Sequence, residues 1–136
     1  MAVHVLAMLA YKQDGGVTSE LIASSVNTNP VVIRRLMAAL RAADLIETQK
    51  GAGLGSQLTR PPKKITLADI YRAVETGEPF SFPGSEPNVK CPVGANIQHA
   101  LESVFESAQS ALERELKKKT LADILESVQT TKPKRR

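Results

Sequence analysis

The chain has 136 residues, one cysteine, no tryptophan and a formal net charge of +4. That length suits a single domain and buries roughly two-thirds of the surface the unfolded chain exposes, so neither disulfide nor metal is needed for folding. One cysteine excludes an intrachain disulfide scaffold and fits a reducing cytoplasm, and the few aromatic residues argue against a stacking platform for single-stranded nucleic acid.

Residues 3–12 read as a helix with Val5, Leu6, Leu9 and Ala10 inward, ended by the Gly15-Gly16 pair in the C-terminal capping position. The apolar pattern starts almost at Met1 with no capping residue ahead of it, as though one or two turns of helix preceded it. This run lacks the basic lead-in and small-residue cleavage site of a signal peptide, and at about nine residues it is too short to span a bilayer. Thr18 then caps a short helix to about residue 26, with Leu21, Ile22 and Val26 spaced for one buried face. After the turn at 27–29, Asn29 caps a third helix, and Pro30 takes the first position, where a missing amide costs nothing. That helix runs to about residue 43, with Ile33, Leu36, Met37 and Leu40 on one face and Val31, Arg34, Arg35, Ala38 and Arg41 on the other. Two short helices joined by a tight polar turn, the second with a basic outer face, make a helix-turn-helix pattern.

Residues 45–50 read as a strand, 51–56 as a glycine loop and 57–59 as a return strand, which together form a wing. Gly51, Gly53 and Gly55 permit positive backbone dihedrals and close approach to a phosphate backbone, with Lys50 and Arg60 at the two roots. No lysine and hydroxyl pair follows the last glycine directly, so the loop does not bind a nucleotide as a P-loop does. Charge follows the same division: residues 29–64 hold seven basic against two acidic side chains, whereas 65–131 hold six against ten. The first of these segments suits a polyanion and the second does not.

Pro61-Pro62 breaks the chain, and Thr66 opens a helix to about residue 76 with Leu67, Ile70, Tyr71 and Val74 as its apolar stripe, ended by Gly77. Residues 78–95, rich in proline and containing Cys91, read as an irregular loop. Asn96 caps the longest helix, to about residue 119, in which Ile97, Leu101, Val104, Ala108 and Ala111 repeat at four and three spacing, the seam of a helix pair. Ala100, Phe105, Leu112 and Leu116 widen that stripe beyond one neighbour, so the helix is expected to pack both on its own domain and on a second copy. A last helix covers 121–128, and the basic end is expected to be disordered.

The order of these elements resembles the Rrf2 family of winged-helix transcription regulators. The matching stretches are Ser19-Glu-Leu-Ile-Ala23, Asn29-Pro-Val-Val-Ile-Arg-Arg35, Leu40-Arg-Ala-Ala-Asp-Leu-Ile46, the glycine wing 51–55, Ile65-Thr-Leu-Ala-Asp-Ile70 and Cys91-Pro-Val-Gly94. The resemblance covers almost all of residues 3–128 and rests on their order and spacing together. It implies a mainly α fold with a small β-hairpin wing, a winged helix-turn-helix followed by a long C-terminal dimerisation helix. It divides the chain into a DNA-binding unit (1–64), a connecting helix and cysteine loop (65–95), dimerisation helices (96–128) and a disordered basic tail (129–136). It also implies that bases are read by the first residues of the third helix, here Val31, Val32 and Arg34, and by the basic residue before the wing, here Lys50, with Ser19 and Asn29 alongside. Three departures stand out. Cluster-binding members carry three cysteines where this chain has only Cys91, so no iron-sulfur cluster or other cofactor is expected. The second half of the wing reads Leu54-Gly55-Ser56 in place of the family's usual Gly-Gly-Tyr, so the operator is expected to differ. Family members also begin several residues earlier.

Each candidate has a plainer alternative. Arg34 and Arg35 either meet bases or phosphates in the major groove or form an ordinary solvated face, and the turn before and wing after favour DNA. Two valines at the start of the helix favour thymine methyls over hydrogen bonding. Cys91 is either a redox switch, with Lys90 beside it favouring the thiolate, or a spare thiol. Cys91 and His99 supply only two metal ligands per chain, and His4 reads as an ordinary helix residue. No catalytic grouping occurs at any motif spacing. The expected function is therefore a cytoplasmic, homodimeric, sequence-specific regulator of duplex DNA, acting by repression, non-enzymatic and without a membrane partner, its thiol or small-molecule effector unidentified. The alternative is a winged helix used only for protein-protein contact.

Overall fold

The computed structural model describes residues 1–12, 15–49, 51, 55–75, 77 and 85–131. Six helices and one hairpin follow in order: α1 (Ala2–Tyr11), α2 (Ser19–Val26), α3 (Pro30–Ala42), β1 (Ile46–Thr48), β2 (Ser56–Leu58), a 3-10 turn (Pro62–Lys64), α4 (Leu67–Val74), α5 (Pro92–Lys117) and α6 (Leu121–Thr130). The mainly helical architecture with a hairpin wing and a long C-terminal helix is as the sequence implies.

Capping residues set the helix starts. Thr18 accepts the Leu21 amide at 3.1 Å and Asn29 accepts the Val31 amide at 2.8 Å, each satisfying a donor that the first turn leaves free. Asn27 turns the chain between α2 and α3 in the left-handed region, with the Thr28 amide donating back to Ala23. Val5, Leu6 and Leu9 of α1, Ile22 of α2, Ile33 and Leu40 of α3, Leu45 before the hairpin and Ile46 of β1 form one core. Each such side chain contributes about 1.5–3 kcal/mol on burial. Leu21, expected on the buried face of α2, is exposed instead, and Ala23 takes its place inside.

Several boundaries differ from the sequence reading. Helix α1 ends at Tyr11 with Lys12 as its cap, and Gly15 and Gly16 use their positive φ in the connection beyond it. The first strand shrinks to three residues and the return strand moves one residue earlier, the two paired antiparallel with Ile46 opposite Leu58. Helix α5 begins at Pro92 behind Cys91, not at Asn96, so 92–95 are helical rather than loop. Proline at the first helical position dispenses with one orphan amide, which lets the helix start upstream of the better polar cap. Asn96 instead donates from Nδ2 to the Pro92 carbonyl within the helix. Helix α6 continues through Gln129 and Thr130, two residues beyond the expected start of the tail, and 132–136 lie outside the described residues.

The sequence reading missed an internal repeat. Thr66-Leu-Ala-Asp-Ile70 and Thr120-Leu-Ala-Asp-Ile124 are identical, and both threonines close capping boxes, with Asp69 and Asp123 as partners. The two helix starts are joined back to back: the Leu67 amide donates to Lys119 at 2.9 Å and the Leu121 amide to Ile65 at 2.8 Å. Ile65 and Leu121 are fully buried at this junction. The repeat therefore ties the end of α5 to the start of α4.

Candidate nucleic-acid interface

Helix α3 turns its apolar side, with Ile33, into the core, which leaves the outer side of its first half to solvent. Val31 is 49% exposed and Val32 42%, high for valine, and Arg34 and Arg35 are exposed beside them. Asn29 is committed to the helix cap. Ser19 opens α2 and donates from Oγ to Glu20 Oε2 at 3.2 Å. Arg34 Nη2 donates to Glu20 Oε1 at 2.5 Å, linking the two helices across the turn. The Glu20 carboxyl is held below its ordinary range by its own backbone amide first, then by Arg34 and Ser19.

The hairpin stands next to this surface. Its outer face carries a side-chain ladder in which Gln57 donates to Glu47 at 2.7 Å and Gln49 donates to Gln57 at 2.8 Å. At its loop end Gly55 bridges Val17, and a Cβ built on Gly55 would lie 2.7 Å from the Val17 carbonyl oxygen. With φ at +71°, Gly55 is required by two independent constraints. The sequence suggested phosphate approach as the reason for this glycine; the geometry supplies packing against Val17. A cleft of about 250 Å³ lies where the parts meet, lined by Thr18, Ser19, Arg34, Arg41, Gly55 and Ser56. Arg41 Nη2 reaches Ser56 Oγ at 3.5 Å within it.

Ser19 thus lies on α2, Val31, Val32, Arg34 and Arg35 on α3 behind its cap Asn29, and Gly55 at the loop end of the hairpin, with Gly51, at φ +119°, across the same loop. Lys50 and Gly53 lie outside the described residues. Sequence reasoning passed over Glu20, Val17 and Arg41 as site residues. An acidic residue in the first turn of α2 offers no signal of which arginine it will meet.

Cys91 is exposed at the N-cap of α5. Its thiol is held below the ordinary range by the backbone amides of Gly94 and Val93, so the helix start, and not Lys90, favours the thiolate. His99 is 91% exposed and pairs with Glu102 at 3.4 Å. Among the described residues no group of three or more His, Cys, Asp or Glu is arranged for a metal. His4 Nε2 lies 2.8 Å from Ser25 Oγ, a tie between α1 and α2. No helix among the described residues is long and apolar enough to cross a membrane.

Helix α5 packs on α4 and carries an Arg72–Glu113 ion pair at 3.3 Å, yet none of its 26 residues is buried. Leu101, Phe105, Ala108, Leu112 and Leu116 form a half-buried inner row. Val93, Ile97, Ala100, Val104, Ser107 and Ala111 form an exposed outer row. The five expected seam residues are therefore divided, with Leu101 and Ala108 inside and Ile97, Val104 and Ala111 outside.

Residues 1–127 match the Rrf2 family model, described as an iron-dependent transcriptional regulator. YwnA of Bacillus subtilis strain 168, an HTH-type transcriptional regulator by name, is 43% identical over 125 residues, covering 92% of each chain. A crystal structure named for DNA binding is 41% identical with a TM-score of 0.74, covering 91% of this chain and 95% of that one. IscR of T. potens is 27% identical with a TM-score of 0.70, covering 97% and 87%.

Proposed function

Because this chain belongs to the Rrf2 family of transcriptional regulators, a non-enzymatic family whose winged helix binds DNA, we propose that it acts as a cytoplasmic homodimer on a pseudo-palindromic duplex. The observation that carries this reading is the outer side of the first half of α3, where Val31, Val32, Arg34 and Arg35 are exposed and Arg34 lines the cleft shared with Gly55 and Ser56. An exposed valine pair flanked by arginines suits thymine methyls and the acceptors of guanine in the major groove. Two copies joined along α5 would present two such helices to half-sites about one or more helical turns apart, roughly 10 base pairs each. Occupying the duplex blocks it to other proteins, so repression requires nothing beyond binding.

The family's description names iron, but the residues of this chain do not fit a cluster or an iron site of their own. It has one cysteine in all, and the nearest candidate partner, His99, is solvated and already paired with Glu102. The regulator works without a cofactor in this reading, and Cys91 is its candidate sensor, a thiol favoured as thiolate at the N-cap of α5.

Duplexes recovered from a random pool test the proposal. Inserting half a helical turn between the half-sites should abolish tight binding, and affinity should fall steeply with salt. The same titration with wild type and Cys91→Ser, reduced and then treated with peroxide, should show oxidation weakening only the wild type. Binding that ignores half-site spacing and salt would favour a protein-protein module, and equal affinity in both redox states would remove Cys91 as a sensor.

A further inference from the structure

Arg34 and Arg35 are consecutive residues on the exposed side of α3, but their surroundings differ. Arg34 donates to Glu20 across the helix-turn-helix, and Ser19 donates to the other oxygen of the same carboxylate. Among the described residues Arg35 has no hydrogen-bond or ion-pair partner. A carboxylate at a surface that meets duplex DNA is repelled by phosphates, so its presence weakens binding unless it serves selection.

We propose that Glu20 is a specificity-determining positioning residue, which fixes the guanidinium of Arg34 and cancels its charge so that Arg34 reads guanine instead of gripping phosphate. An arginine has five N–H donors in a rigid fork. One is committed to Glu20, and those remaining suffice for the O6 and N7 acceptors of guanine, the commonest specific contact in the major groove. Holding the fork in place before binding removes freedom that an unpaired arginine would lose on docking. Charge follows the same division. A phosphate-neutralising cation steepens the dependence of log affinity on log salt by about 0.9. Arg35 contributes that increment, whereas the Arg34–Glu20 pair brings no net charge to the duplex.

This assignment rests on the DNA-binding reading above, and Glu20→Gln tests it with little risk to the fold, since both partners are more than half exposed. Affinities for a duplex selected by the wild type and for a shuffled duplex of the same composition are measured across a salt series. Glu20→Gln releases Arg34 to phosphates. Binding to the shuffled duplex should tighten, its salt slope should steepen by about 0.9, and the ratio of selected to shuffled affinity should fall roughly tenfold. In an Arg34→Ala background the same substitution should leave that ratio unchanged, because the effect passes through Arg34. An unchanged ratio and slope would overturn the proposal, as would an equal effect in both backgrounds. Absence of salt-dependent binding by the wild type would instead sink the DNA reading itself, and this assignment with it.

Discussion

A methyl group added to Gly55 would sit 2.7 Å from the Val17 carbonyl oxygen, with the backbone already in the left-handed region. Gly16 shares that backbone conformation at φ +75° but has nothing within 4 Å of its Cβ position. The pair separates two effects that a single substitution would merge. Gly16→Ala should cost about 1 kcal/mol from backbone strain alone. Gly55→Ala adds a collision with main chain, which cannot swing aside as a side chain would, and should cost about 1–3 kcal/mol more. Urea denaturation of both variants checks this, and equal costs would mean that the loop end of the hairpin yields freely. At this scale the sequence was legible where chemistry is local: Thr18, Asn29 and Pro30 cap and start their helices as read. It was illegible where a residue's role depends on a partner distant in the chain. Gly55 needs Val17, and Arg34 needs Glu20, and neither pairing leaves a periodic trace.

At the level of elements, the two Thr-Leu-Ala-Asp-Ile starts show how a local motif acquires a tertiary task. The Thr66 start was read from its sequence and its twin at Thr120 was not, but only pairing through Lys119 and Ile65 makes the two a joint between the end of α5 and the start of α4. Burial works to raise the Asp69 carboxyl, yet the Thr66 amide and hydroxyl and the Arg60 guanidinium outweigh it and hold it below its ordinary value of 3.8. A carboxylate whose folded-state pKa is depressed stabilises the fold fully above its unfolded value, and that contribution is lost as pH falls through the lowered one. Acid unfolding should therefore include a component from Asp69 below pH 3.8, and Asp69→Asn should remove it. Thr66→Ala should cost about 1 kcal/mol at neutral pH by loss of the cap. Circular dichroism across pH measures both, and an acid limb unchanged in Asp69→Asn would count against the assignment. The misplaced start of α5 has a similar origin. Asn96 is the better cap by side chain, but Pro92 begins the helix at lower cost to the backbone, and the sequence does not say which consideration prevails.

Across the whole molecule, the feature left unexplained by a single chain is α5, whose 26 residues span about 39 Å without one of them being buried. Its inner row meets α4, while Val93, Ile97, Ala100, Val104, Ser107 and Ala111 repeat at four and three spacing on the outside. That spacing keeps one stripe facing a partner helix, as in a coiled-coil seam. The width of the apolar stripe was visible in the sequence, but its division into two rows was not, because residues 100, 101, 104 and 105 all read as apolar until a neighbour fixes the helix's rotation. The division changes which substitution is informative. Leu101→Glu would place a charge in the half-buried inner row and disturb the chain's own packing, confusing assembly with folding. Val104 is 56% exposed, so Val104→Glu should leave the single-chain fold intact. In a dimer joined along the outer row it would bury two unpaired carboxylates near the symmetry axis, a cost of several kcal/mol that a seam of small and β-branched residues cannot offset. Light scattering at micromolar concentration should then give about twice the chain mass for the wild type and the chain mass for Val104→Glu, with equal helix content by circular dichroism. The monomer should retain weak contact with a half-site but lose the dependence on spacing between half-sites. A wild-type monomer, or a Val104→Glu variant that remains dimeric, would place the assembly surface elsewhere.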